Sequence, residues 1–275
     1  MEAVSFRQIL SACRPTLRYW METEVHVYAF SIAANVLLSF FPFLIVCVSL
    51  GRSLFDAQSI ISALDLAFQD FFPSALGKFL HNNLPQPQPV EFLSIFILLF
   101  SANGIFEPLE VALNKVWGIH KNRSFLRNQI VSLVLIFVCG TLALLSLAIA
   151  AIGQQNGSQL LVVRWVSILF YKSAAVPLTV LILYLVYRYL PNGRPPAKRV
   201  VPAAIGVGVL LEALKSINIW AWPAFDAKLQ REYGVFRYSA TLIFLSFLSS
   251  MLVLGGAEWA ARGHRLDKPD RKSHV

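Results

Sequence analysis

Residues 26–50 read HVYAFSIAANVLLSFFPFLIVCVSL, an apolar run that contains no aspartate, glutamate, lysine or arginine. The hydrocarbon core of a bilayer is roughly 30 Å thick and asks for about 20 mostly apolar residues per crossing helix. This stretch meets that length, and comparable runs recur at residues 90–119, 129–152, 165–190, 200–222 and 238–261. Short basic or polar loops separate them. The pattern predicts an all-α membrane protein with six transmembrane helices: a bundle over residues 26–261 inside one polytopic domain, 1–275.

Composition agrees with that solvent. The chain has 275 residues, 56% of them hydrophobic and 14% charged, which leaves no charged, periodic stretch long enough for a separate soluble domain. Before the first run, Phe6, Ile9, Leu10, Cys13, Leu17, Trp20 and Met21 fall at helical spacing while Arg7, Arg14 and Arg18 keep to other positions. Residues 1–25 therefore read as an interfacial helix. Nothing in them looks like a cleaved signal, so the first run is expected to act as the insertion signal. Residues 55–84 mix Phe68, Phe71, Phe72 and Phe79 with Asp65, Asp70 and Lys78, too polar to cross, and read as an amphipathic helical outer segment that Pro85, Pro87 and Pro89 close.

The formal charge of +9 comes from 24 Lys and Arg against 15 Asp and Glu. Fifteen of these cations lie in residues 1–25, 120–128, 188–199 and 262–275, and six in the loops of the opposite side. The positive-inside bias then puts both termini, including the tail 262–275, in the cytoplasm of a bacterial inner membrane. Anionic lipid headgroups on that side are the expected partners of the basic loops. No nucleic-acid-reading motif is present, so no nucleic-acid partner is expected.

Three prolines interrupt runs. Pro42, Pro108 and Pro177 each remove an intrahelical hydrogen bond, so kinks are expected there, bent toward protein. Ionisable groups inside hydrocarbon cost about 2.5–3.5 kcal/mol each on insertion scales, so the few present are the candidate site. Asn103, Glu107, Glu110 and Asn114 advance by four, three and four and project from one face of the second run. Glu212, Lys215 and Asn218 advance by threes in the fifth, where glutamate and lysine can form an intrahelical pair. Ser31, Asn35 and Ser39 repeat by fours in the first. A hydrated substrate or proton pathway would be lined by Asn35, Asn103, Glu107, Glu110, Glu212, Lys215 and Asn218; the competing reading is that these groups join helices through hydrogen bonds. Glu258, behind the close-packing Gly255–Gly256 pair, favours a structural or interfacial role.

Catalytic chemistry finds less support. His26, His81, His120, His264 and His274 show no metal-ligand spacing, and Cys13, Cys47 and Cys139 form neither a disulfide framework nor a zinc site. No phosphate loop, nucleophile elbow or metalloprotease helix occurs. No metal, cofactor or enzymatic activity is expected.

Five short segments remain: SFFPFL at 39–44, ALNKVWGI at 112–119, LPN at 190–192, YGVF at 233–236 and LGGAEW at 254–259. In this order and spacing the chain resembles the YihY/BrkB family of bacterial inner-membrane proteins, once labelled ribonuclease BN. It departs from the family's usual pattern at Ala34 and Asn35, where tyrosines are common, and at Trp259, where asparagine is frequent. The resemblance implies a six-helix inner-membrane protein with transport or envelope-related roles, and no agreed substrate or catalytic residue. The nuclease label fits poorly, because an RNase needs an acid and base or carboxylate-held metals where RNA can enter.

Three functions follow. The leading one is a transporter or permease-like protein with kinked helices around a midplane polar site. The second is a non-transporting envelope scaffold or virulence-associated protein that acts through residues 55–84 and 223–237. The weakest is a membrane-embedded enzyme with Glu107 and Glu110 as a carboxylate pair. Ala204 with Gly208, and Ser246 with Ser250, permit close helix approach within a subunit or in a homo-oligomer.

Overall fold

The computed structural model describes residues 14–51, 64–65, 92–119, 130–131, 134–135, 137–142, 145 and 176–266. The start of the interfacial helix, nearly all of the outer segment 55–84 with its prolines, much of the third run, the first part of the fourth and the tail from 267 lie outside these residues. The described elements are helical. Residues 14–20 form a helical entry, followed by α1 (Thr23–Gly51), α2 (Phe92–Val116), α3 (Val176–Tyr189), α4 (Ala197–Tyr233), a 3-10 turn (Gly234–Phe236) and α5 (Arg237–Leu266). Among the described residues three helical stretches are long and apolar enough to cross a membrane: Thr23–Ile45, Ala197–Tyr233 and Arg237–Arg262.

Local chemistry sets the ends. Glu24 lies in the first turn of α1, where the positive end of the helix dipole favours an acid. At the end of α2, Gly118 takes φ +66°, the Ile119 N–H donates to the Asn114 carbonyl at 2.9 Å and the Gly118 N–H to the Lys115 carbonyl at 3.1 Å. This is a Schellman ending, which a glycine in the left-handed region permits. At the end of α4 Gly234 takes φ +54°, and its N–H donates to the Gln230 carbonyl. The fifth apolar run, 200–222, predicts a helix that stops at Trp222, with 223–237 as a loop. The helix instead continues through Pro223 to Tyr233, because the residues beyond it are good helix formers and only Gly234 forces a turn. α1 and α2 likewise run through Pro42 and Pro108 as helix, so neither proline ends its element.

α5 packs against α1, α4 and, less extensively, α2, and α1 packs along α2. The core lies at one end of this bundle. It joins Val25 and Ile32 early in α1, Leu113 late in α2, Tyr187 late in α3, Val207 in the first half of α4 and Ala257 late in α5. Exposed apolar side chains such as Phe30, Phe100, Val209 and Ile217 cover the outside, the surface a hydrocarbon solvent accepts. The close approach expected at Ala204 and Gly208 occurs within the subunit. Ala204 is fully buried, and a methyl group on Gly208 would lie 2.8 Å from Val180 Cγ2 of α3.

Candidate functional site

The polar face of α2 divides along its length. Asn103 is half-buried and Glu107 exposed, whereas Glu110 and Asn114 are buried. Next to Asn103, Gly104 meets α1: a methyl group there would lie 2.1 Å from Asn35 Oδ1. The Asn35 amide turns back on its own helix and donates to the Ser31 carbonyl at 2.9 Å. One turn from the end of α2, Asn114 Nδ2 donates to Glu110 Oε1 at 3.4 Å and Asn114 Oδ1 accepts from the Asn192 backbone N–H at 2.8 Å. The lower part of the stripe thus ties α2 to the turn between α3 and α4. Gly193 of that turn lies close enough that a methyl group would be 2.8 Å from Ile119 Cδ1.

On α4 the three predicted polar residues share one cavity. Lys215 Nζ donates to Glu212 Oε1 at 2.5 Å, and both side chains are largely buried. With Asn218, Thr179 of α3 and Leu245 and Ser249 of α5 they line a space of about 150 Å³. Leu245 and Ser249 also line a second, half-open cavity of about 370 Å³. Val36, Phe40 and Phe43 of α1, Leu109 of α2 and Leu242 and Val253 of α5 form its apolar walls, with Ser39, Ser246 and Ser250 among them. Ser39 and Ser250 donate to backbone carbonyls of their own helices, Val36 at 3.0 Å and Ser246 at 2.7 Å. Asn35, Asn103, Glu107 and Glu110 do not line either cavity. Sequence reasoning read Ser246 and Ser250 only as packing residues and missed Ser249. Their i, i+3, i+4 spacing on an otherwise apolar helix was the available signal.

The core end is fastened through α5. Trp20 Nε1 donates to the Met251 carbonyl at 2.8 Å, and Tyr187 Oη donates to the Val253 carbonyl at 2.6 Å. Both rings depend on the glycine pair: a methyl on Gly255 would lie 2.5 Å from Trp20 Nε1, and one on Gly256 would lie 2.1 Å from Val207 Cγ2 and 3.0 Å from the Tyr187 hydroxyl. Thr16 Oγ1 donates to Glu258 Oε2 at 2.7 Å, and Arg262 lies 3.8 Å from the same carboxylate. Glu258 therefore joins the entry helix to α5. Burial, with Glu22 and Glu258 nearby, pushes the Tyr19 hydroxyl well above its ordinary value. Glu24 and Lys115 pair across the ends of α1 and α2. Among the described residues no three His, Cys, Asp or Glu side chains are grouped to hold a metal.

The sequence profile of the virulence factor BrkB family matches residues 16–274. The chain belongs to the BrkB family. It is 25% identical over 213 residues to a UPF0761 membrane protein of Glaesserella parasuis, covering 74% of this chain and 73% of that one. A UPF0761 membrane protein of Chromohalobacter salexigens is 27% identical over 244 residues, covering 85% of this chain and 58% of the relative. One from Neisseria meningitidis serogroup B is 23% identical over 252 residues, covering 88% and 60%. The chain thus spans less than two thirds of the length of the last two. No solved structure matches it.

For this BrkB-family chain the segments that carry the resemblance are contact points. ALNKVWGI forms the Schellman end of α2 and meets LPN through Asn114 and Asn192. LGGAEW receives Trp20, Tyr187 and Val207, and SFFPFL supplies Ser39, Phe40 and Phe43 to the larger cavity. YGVF is the turn between α4 and α5. The chain is a helical membrane protein of this family, held together by the residues that identify it.

Proposed function

We propose that the protein is a six-span transporter or permease-like protein of the bacterial inner membrane, without enzymatic activity, and that Glu212, Lys215 and Asn218 line its substrate route. The observation that carries this reading is their convergence on one cavity that shares Leu245 and Ser249 with a larger one. The larger cavity starts at Ile32 and Leu109 of the core and extends along α1 and α5 away from it. Ionisable groups held inside hydrocarbon are by default a candidate functional site. Glu110 and Asn114 hold the end of α2; exposed Glu107 is the member of that stripe left for a substrate or proton.

The six-span count rests on the apolar runs of the sequence. Ile119 and Gly193 meet at one end of the bundle. The apolar run 129–152 has the length and composition for one crossing. The contact between Thr16 and Arg262 places the two ends of the described chain together, and the basic loops assign that end to the cytoplasm and its anionic lipids.

The test is thiol accessibility. Single cysteines at Asn218, Ser249 and Leu113 are placed in a background free of Cys13, Cys47 and Cys139 and treated in native membranes with a small charged thiol reagent. Labelling at 218 and 249 but not at 113 is the expected result. Absence of labelling at 218 and 249, while a cysteine at Gly234 reacts, would remove the pathway.

A second reading has one observation in its favour. At 1.5 Å per residue, α4's 37 residues span about 55 Å, well beyond a bilayer core of roughly 30 Å. Its far end is braced to α5 by Asp226 and Arg237 at 3.4 Å. An envelope or virulence-associated role through this projection would survive Lys215→Met and fail on Phe225→Ser with Phe236→Ser.

A further inference from the structure

The two cavities differ in character and share a wall. One is apolar except for serine hydroxyls; the other holds an ion pair and an amide; Leu245 and Ser249 belong to both. A polar solute that occupied both would leave most of its hydrogen-bonding groups against the phenylalanines and leucines of the larger space, where four serine hydroxyls, two of them already donating to their own helices, are the polar side chains of the lining. A purely apolar solute would leave the charged pocket unused. At about 370 Å³ the larger cavity is within the range of small-molecule sites, and apolar cavities stay free of water, so hydrocarbon suits it. The molecule that satisfies both compartments is an amphipath with its chain against Phe40 and Leu242 and its head beyond Ser249.

The charge of the head follows from the pair. Lys215 and Glu212 bond each other at 2.5 Å and cancel. A head with a single charge would attract one partner and repel the other. A zwitterion offers an anion to Lys215 and a cation to Glu212, so both charges keep an opposite neighbour when the pair opens.

We propose that the substrate is an amphipathic lipid with a zwitterionic headgroup, its acyl chain in the cavity between α1, α2 and α5 and its head at Glu212, Lys215 and Asn218. This names the substrate class of the transport reading above and rests on it.

The test uses lysophosphatidylethanolamine with a photoactivatable group in its chain, added to the full-length protein in detergent, with crosslinked residues mapped by mass spectrometry. Crosslinks are expected at Phe40, Phe43 and Leu242, and excess unlabelled lipid should remove them. Ser246→Phe, which fills the chain cavity, is expected to lower the yield at least tenfold. Lys215→Met should lower it for this probe but not for a photoactivatable fatty alcohol of equal length. If Ser246→Phe does not fold, the competition experiment in the wild-type protein decides. Crosslinks confined to outward residues such as Phe100 and Trp220, or cavity crosslinks that unlabelled lipid does not displace, would overturn the proposal. So would equal yields with the matched phosphatidylglycerol probe. Saturable cavity crosslinks with no lipid movement in proteoliposomes would support the binding site and refute transport; a labelled pathway at 218 and 249 without lipid crosslinks would do the reverse.

Discussion

Gly256 shows how much of this fold depends on a missing side chain. In a membrane, helices gain little from the hydrophobic effect and associate through close packing and interhelical hydrogen bonds. Gly256 lets Val207 and the Tyr187 hydroxyl reach α5. Gly256→Val should therefore destabilise the bundle by about 1–3 kcal/mol, the usual range for overpacking, read as a fall in thermal unfolding temperature in detergent. Val207→Ala in the same chain should restore part of the loss, because Val207 Cγ2 is the nearest obstruction. Gly206→Ala is the control: no atom lies within 4 Å of a methyl group there, so its stability should not fall. Tyr187→Phe removes only the bond to the Val253 carbonyl and should cost about 0.6–1.7 kcal/mol, the measured scale for such bonds between membrane helices.

Among the elements, α2 has the clearest division of labour. Its last turn is a Schellman ending whose Asn114 carbonyl accepts within the helix while its side chain accepts from Asn192. Asn114→Leu keeps the bulk and removes that acceptor. The turn at 190–196 should then become more sensitive to limited proteolysis while α2 itself persists by circular dichroism. Gly118→Ala strains the φ of +66° and should cost about 1–2 kcal/mol, the usual penalty for a side chain in the left-handed region. The exposed Glu24–Lys115 pair joins the same ends, yet exposed pairs contribute about 0–1 kcal/mol. Lys115→Gln should leave the unfolding temperature nearly unchanged.

At the scale of the whole molecule, packing among the described residues is uneven: a core at the end that carries Arg188, Arg199 and Arg262, cavities away from it. A bundle built only as a scaffold has no need of that asymmetry. If it is a transport route, Glu212→Gln and Lys215→Met should each abolish flux of the substrate in proteoliposomes at unchanged protein level. Normal flux in both would remove the pathway from α4. Topology adds an independent check, since reporter fusions after residues 119 and 266 should report the cytoplasm and one at 234 the opposite side.

The apolar runs and glycine-bearing motifs determined by themselves that this is a helical membrane protein of its family, because hydrocarbon admits only backbones whose hydrogen bonds close within helices or barrels. The Glu212–Lys215 pair was equally legible, since it joins residues three apart on one helix. What tertiary structure alone decided is which polar residues meet. Glu107 and Glu110 share a helix face in sequence, yet one is exposed and the other buried, because a face about three turns long passes different neighbours along its length. Ser249 gains its place at two cavities only when α1 and α4 both pack on α5, a contact between residues far apart in the chain that no local spacing encodes.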